Sequence, residues 1–411
     1  MYSFFAHFLN KKFNIDAHYF LKGGFWLSLT QAITITGGLL TSVLLTHYLT
    51  PQDFGVYRYL VGLSALFAAF SLTGLGQSIL QTAAKGYFGF YLETIRTNLI
   101  YSLTISLVGS VGFLYYFLNG NVLLATGCVA IAILQPIINS FSNTSSYLQG
   151  RQLYRDSTLL QLFKIIIITL SSIAAILLTK EIFFLFLIFL LSNVTVNLCG
   201  HIFFKPLNTK PTPPEIFKIY KSYAVHTSLR NVIANIANRA DSIIVFTQLG
   251  AIELAIYTIA TLIPEQIKGS FRNLASLLLP KYVQHQESTV LRKGVPKRSL
   301  QMLSVLCIFT IVYIIVSPYL LNLIFPKYPD SIFYGQLLAL AFPSFVFLIP
   351  FNLLQANLEQ GKLNRIINIG SGVQILVTLL GVYTFGLTGA IIAKIIARYT
   401  YLIITFRYFY K

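Results

Sequence analysis

A chain of 411 residues that is 55% hydrophobic and only 10% charged has too little polar surface to cover a water-soluble core, so lipid is the solvent for most of it. A formal net charge of +18 would point to nucleic acid in a soluble chain. Here the basic residues lie between long apolar stretches, where anionic headgroups are their natural counter-surface, and nucleic acid is excluded.

In chain order, Met1 to Asp16 carries Lys11 and Lys12 and is followed only later by an apolar run without a small-residue cleavage site, which argues against a removed signal peptide. Apolar stretches then follow at 24–47, 54–83, 97–118, 122–147, 157–179 and 182–204. After a break rich in Pro206, Pro211, Pro213 and Pro214, six more run over 223–248, 253–279, 299–324, 331–357, 366–383 and 388–408. At 1.5 Å per helical residue each can cross a hydrocarbon core about 30 Å thick. This predicts an all-α integral membrane protein with about 12 transmembrane helices. Cys128, Cys199 and Cys307 lie inside apolar stretches with no CxxC spacing, so no metal, cofactor or redox chemistry is expected.

Charge between the stretches sets the orientation. Twenty of the 30 Lys and Arg fall in the terminal segments and in alternate links, among them Lys85, Arg96, Arg151, Lys205, Lys281 and Arg292. The intervening links hold only Lys180 and Lys327. The basic side faces the cytoplasm, which places both termini there.

Two halves repeat. Leu49-Thr50-Pro51-Gln52-Asp53-Phe54-Gly55-Val56-Tyr57 matches Leu249-Gly250-Ala251-Ile252-Glu253-Leu254-Ala255-Ile256-Tyr257, and Gln149-Gly150-Arg151 matches Gln360-Gly361-Lys362. Six helices per half make the repeats parallel. The expected division is an N-terminal lobe over 1–204, a cytoplasmic linker over 205–216 and a C-terminal lobe over 217–411. Thr50 reads as a helix cap, Pro51 as a first helical residue and Asp53 as an anion at the positive helix end.

Eight cations fall inside the stretches: Arg58, Lys164, Arg230, Arg239, Lys268, Arg272, Lys394 and Arg398. Each costs a few kcal/mol at the bilayer centre unless it meets water, a partner or the interface. Glu265, Lys268 and Arg272 share one face of the eighth helix, as Lys394 and Arg398 do on the twelfth. Asn231, Asn235 and Asn238 form a polar stripe beside Arg239 and Asp241 on the seventh. Only Asp241 and Glu265 oppose these charges, so pairing each acid with one base, Arg239 or Lys268, leaves about six positive groups for an anion such as pyrophosphate. The alternative for the cations is snorkelling and inter-helix pairing. For the two acids it is coupling to a Na+ or H+ gradient. Gly37, Gly38, Pro136, Pro264, Pro343 and Pro350 are candidate bends.

The Leu49–Tyr57 segment, Leu148-Gln149-Gly150-Arg151 and Asn238-Arg239-Ala240-Asp241 leading to Gly250 and Tyr257 resemble the polysaccharide-export flippase family. That family groups with the multidrug extruders and peptidoglycan-precursor flippases. The resemblance implies two six-helix lobes in a MATE-like MOP flippase fold and alternating access around a cationic cavity. Its implied cargo is an undecaprenyl-pyrophosphate-linked oligosaccharide, flipped across a bacterial inner (plasma) membrane for surface polysaccharides such as O-antigen. Arg58, Arg230, Arg239, Lys268, Arg272 and Arg398 are the expected contacts to the diphosphate or an acidic sugar, with membrane lipids and a polysaccharide polymerase as partners. No enzymatic activity is expected. Competing readings are a cation-coupled multidrug exporter, a membrane glycosyltransferase or polymerase using lipid-linked sugars, and a channel or scaffold.

Overall fold

The computed structural model describes residues 17–410 apart from 180, 207–209, 277–287 and 357–358. The expectations for residues 1–16, Lys180 and Lys281 therefore lie outside the described residues.

Among the described residues the chain is helical almost throughout. The first half comprises α1 (Ala17–Tyr48), α2 (Pro51–Ala68), α3 (Leu75–Ala84), α4 (Gly89–Leu118), α5 (Val122–Phe141), α6 (Thr144–Gly150), α7 (Tyr154–Leu178) and α8 (Ile182–Phe204). The second comprises α9 (Pro214–Leu249), α10 (Ala251–Ser276), α11 (Ser288–Ile324), α12 (Asp330–Ala339), a 3-10 turn (Phe342–Phe347), α13 (Leu348–Ala356) and α14 (Gln360–Tyr410).

Eight of these spans are long and apolar enough to cross a membrane, counting α5 with α6 and α12 with α13 as continuous passes. The passes made by α2 with α3, by α9 and by α10 fall outside that set because polar and charged residues dilute their apolar content. One of the eight, α14, is two crossings: its 51 residues would reach about 77 Å as one straight helix, and Gly386 breaks it at φ 59, ψ −135. The result is an all-α membrane protein of twelve crossings, six in each half.

The join between α1 and α2 has the expected chemistry. Thr50 accepts from the Asp53 amide at 3.2 Å and donates to the Asp53 carboxylate at 2.7 Å, with Pro51 opening the helix. Its counterpart between α9 and α10 is the single residue Gly250, at φ 98. The left-handed backbone explains why glycine stands there in place of threonine.

The described chain forms two compact units, one of residues up to 41 with 70–229, the other of 42–69 with 230 onward. The described residues of the 205–216 stretch lie in the first of these units. In the first unit that stretch is tied down: Glu93 accepts from the Thr212 amide at 2.8 Å, and Gly89 lies so close to Lys210 that an added Cβ would stand 2.5 Å from its carbonyl oxygen. Several helix–helix contacts among the described residues of this unit are neutral. Thr30 meets Thr158 at 2.8 Å, Thr41 meets Thr169 at 3.1 Å, and Ser192 donates to Ser171 at 2.7 Å. Pro136 has no N–H for the Ala132 carbonyl, and Ser106 of α4 donates to that carbonyl instead at 2.7 Å.

In the second unit α2 packs on α10, so the two repeat copies meet. A Cβ on Gly55 would fall 1.9 Å from the Ala251 carbonyl oxygen, and Phe54, Tyr57, Leu254, Ala255 and Tyr257 are all buried. This close backbone approach explains why 42–69 belongs with the second half of the chain. Tyr59 stacks on Phe246 with centroids 3.7 Å apart, and Lys327 caps the end of α1 through the carbonyls of His47 (2.6 Å) and Leu49 (3.3 Å).

Candidate functional site

Every sequence-predicted site residue lies in the second unit, on α2, α9, α10 and α14. Three of those helices, α2, α9 and α10, are the ones too polar to count as apolar spans. The candidate site residues are part of the polarity that weakens them as membrane segments.

At the centre is a charge network. Asp241 on α9 is 4% exposed and saturated: its Oδ1 accepts from the Ser242 amide at 2.8 Å, and its Oδ2 accepts from Lys394 Nζ at 2.8 Å and Tyr257 Oη at 2.7 Å. The Lys394 ammonium on α14 is also saturated, with Tyr257 Oη at 3.2 Å and Glu265 Oε1 at 3.1 Å as its other acceptors. An ammonium has three N–H donors, and three oxygens take them. Glu265 on α10 is shared more widely: Oε1 also accepts from Arg398 Nη2 at 2.5 Å, and Oε2 lies 3.6 Å from Lys268 Nζ. The Arg398 guanidinium sits over the Phe345 ring, 5.3 Å from its centroid.

Periodicity explains how α10 supplies one edge. Tyr257, Glu265, Lys268 and Arg272 recur at helical spacing and fall on one face, so the helix carries a phenol, a carboxylate and two cations in a line. Lys394 and Arg398, one turn apart on α14, meet that line. Three cations and two carboxylates leave the network one positive charge in excess.

The other predicted residues stand outside this core of ion pairs. Arg58 is half-buried beside the Phe54 ring at 5.9 Å and lies close enough to Arg239 for the two charges to repel. Arg239 and Arg272 are exposed, Arg230 is half-buried, and the Arg272 charge reaches Lys268. Among the described residues no carboxylate forms an ion pair with Arg58, Arg239 or Arg272, whereas Lys268 and Arg398 share Glu265. The partner of Asp241 is thus Lys394 rather than Arg239. Lys164, half-buried on α7, belongs to the first unit.

Sequence reasoning left Lys394 and Tyr257 out of the site. The sequence places Lys394 among the membrane cations, and Tyr257 in the repeat and in the segment that resembles the flippase family. Its position eight residues before Glu265, on the same helical face, was the available signal. Among the described residues no group of three or more His, Cys, Asp or Glu is placed to hold a metal ion.

A family model described as "Polysaccharide biosynthesis protein" matches residues 44–328. A search among curated proteins finds no match. Among solved structures, the chain is similar to a MOP superfamily transporter from Pyrococcus furiosus whose binding pocket is described as reversed in polarity, suggesting a different function. That pair shares 14% identity over 95% of this chain and 94% of that one, with a TM-score of 0.66. It is similar as well to the lipid II flippase MurJ in an inward closed conformation, at 12% identity over 94% and 87% of the two chains and a TM-score of 0.63. An inward-facing multidrug resistance MATE family transporter follows at 15% identity, covering 94% and 96%, with a TM-score of 0.60. The fold is that of the MOP superfamily.

Proposed function

Because this chain belongs to the polysaccharide biosynthesis protein family, we propose that it is a flippase that carries an undecaprenyl-pyrophosphate-linked oligosaccharide from the cytoplasmic to the outer leaflet. Transport runs by alternating access around a cationic cavity and makes no covalent bond. The protein resides in a bacterial inner membrane with both termini cytoplasmic, its six-helix lobes are 1–204 and 217–411, and its product feeds surface polysaccharide assembly, where a polymerase is the natural consumer.

The observation that carries this reading is the distribution of carboxylates. Both acids of the network are taken by Lys268, Lys394 and Arg398, while Arg58, Arg239 and Arg272 have no acidic partner among the described residues. Several unpaired guanidiniums suit a pyrophosphate, which accepts many charge-assisted hydrogen bonds at once. An organic cation, the cargo of a multidrug exporter, would instead find each candidate carboxylate already engaged.

Replacing Arg239 or Arg272 by Ala tests the reading. Export of lipid-linked oligosaccharide, measured by flipping in reconstituted vesicles, is expected to be abolished while membrane abundance stays near that of the wild type. Loss of the protein along with activity would assign these side chains to packing.

A further inference from the structure

The two acids of the network are not equivalent, and the difference bears on how a cargo would be received. Asp241 is buried with both oxygens satisfied by donors from Lys394, Tyr257 and its neighbour's amide. Glu265 leaves a third of its side chain open and is divided among three cations, the longest contact being 3.6 Å to Lys268. Arg398 is 5% exposed, yet two of its nitrogens, Nε and Nη1, have no hydrogen-bond partner. A guanidinium offers five N–H donors, and one carboxylate oxygen at a single nitrogen cannot take them. Buried donors left unpaired are costly and mark a place where a richer acceptor gains.

We infer that Glu265 is a resident competitor: its carboxylate holds the cations that a diphosphate would take, and an arriving diphosphate displaces it from Lys268 and Arg398. This inference rests on the reading of the cargo as pyrophosphate-linked. Lys394 stays in place when Glu265 swings away, because Asp241 and Tyr257 still hold it, and Arg398 keeps the Phe345 face behind it. A diphosphate carries more acceptor oxygens than a carboxylate, enough for the Arg398 donors that Glu265 leaves empty and for Lys268 together. The exchange trades anion for anion at Lys268 and Arg398 and releases the Glu265 carboxylate, a third of whose side chain is already open. It also keeps Lys268 and Arg398 occupied by Glu265 until cargo arrives.

The test is calorimetric titration of inorganic pyrophosphate into the purified full-length protein in detergent. Glu265→Gln removes the competitor and is expected to tighten binding about tenfold or more over the wild type, as loss of one competing charge-assisted contact implies. Glu253→Gln deletes the same charge on α10 away from Arg398 and is expected to change nothing. Adding Lys268→Met to Glu265→Gln should cancel the gain. Should Glu265→Gln fail to fold, Glu265→Asp keeps the charge on a shorter arm and should give a smaller gain. Unchanged affinity in the folded Glu265 variant, or an equal gain in Glu253→Gln, overturns the inference. Wild-type flipping in vesicles is measured in parallel: absent flipping with the gain intact condemns the cargo reading alone, and intact flipping without the gain condemns the competitor alone.

Discussion

The two compact units solve the same problem, polar groups at membrane depth, with opposite chemistry. In the first unit, hydroxyls and amides pair with one another or with a carbonyl, as in Thr41 with Thr169 and Ser106 with Ala132. In the second, two ammoniums, a guanidinium and two carboxylates are drawn together. Neutral pairs give modest adhesion between helices and ask little in return. Charges are expensive unless partnered, so their concentration on α2, α9, α10 and α14 identifies a region kept for something other than adhesion. Polarity alone therefore does not locate function in a membrane helix; the kind of polarity does.

Mutations that attack this contrast should separate it by magnitude. Asp241→Ala leaves Lys394 buried with its shortest anionic contact gone, and a loss of about 3–5 kcal/mol is expected, read as a sharp fall in folded yield and in thermal midpoint in detergent. A fall below about 1 kcal/mol would mean that Glu265 alone suffices for Lys394, and the contrast between the units would shrink. In the first unit, Ser106→Ala strands the Ala132 carbonyl freed by Pro136, and about 1 kcal/mol is expected from the shift in thermal midpoint. Thr169→Val should cost still less, about 0.6 kcal/mol, since Thr41 retains a bond to the Gly37 carbonyl. An effect of Thr169→Val as large as that of Asp241→Ala would erase the distinction drawn here.

Much of this architecture was readable in the residues. The stretch 182–204 is the helix Ile182–Phe204 itself, and the cap at Thr50, Pro51 and Asp53 forms as its chemistry requires. Breaks inside apolar stretches were readable through special residues and not through hydropathy: Pro343, a candidate bend, stands in the first turn of the 3-10 segment. The 3-10 turn Phe342–Phe347 is as apolar as the helices on either side, so hydropathy carries no trace of it. Gly386 sits in the short link expected at 384–387, where its positive φ turns the chain between two crossings and brings Gly381 against Gly389. For the site, the i,i+3 relation of Glu265 and Lys268 was visible because it is local. The ties from α14 to Asp241 and Glu265 span 153 and 133 residues, and helical periodicity reports which face a side chain occupies, not which helix that face meets.

Those separations have a consequence for how the protein is made. At about 5–20 residues per second, a ribosome emits Lys394 about 8–30 s after Asp241, so the helices carrying both acids reach the insertion machinery long before their α14 counter-ions exist. Each carries into the bilayer a charge that costs about 2.5–3.5 kcal/mol to insert at the centre. Nascent α9 and α10 are thus held only provisionally, sheltered by the translocon or by lipid defects, until translation reaches α14. The ionic lattice is a late-closing clasp, and any stalling of the ribosome between residues 276 and 394 would hand quality control an intermediate with Asp241 still without Lys394 and Glu265 held by Lys268 alone.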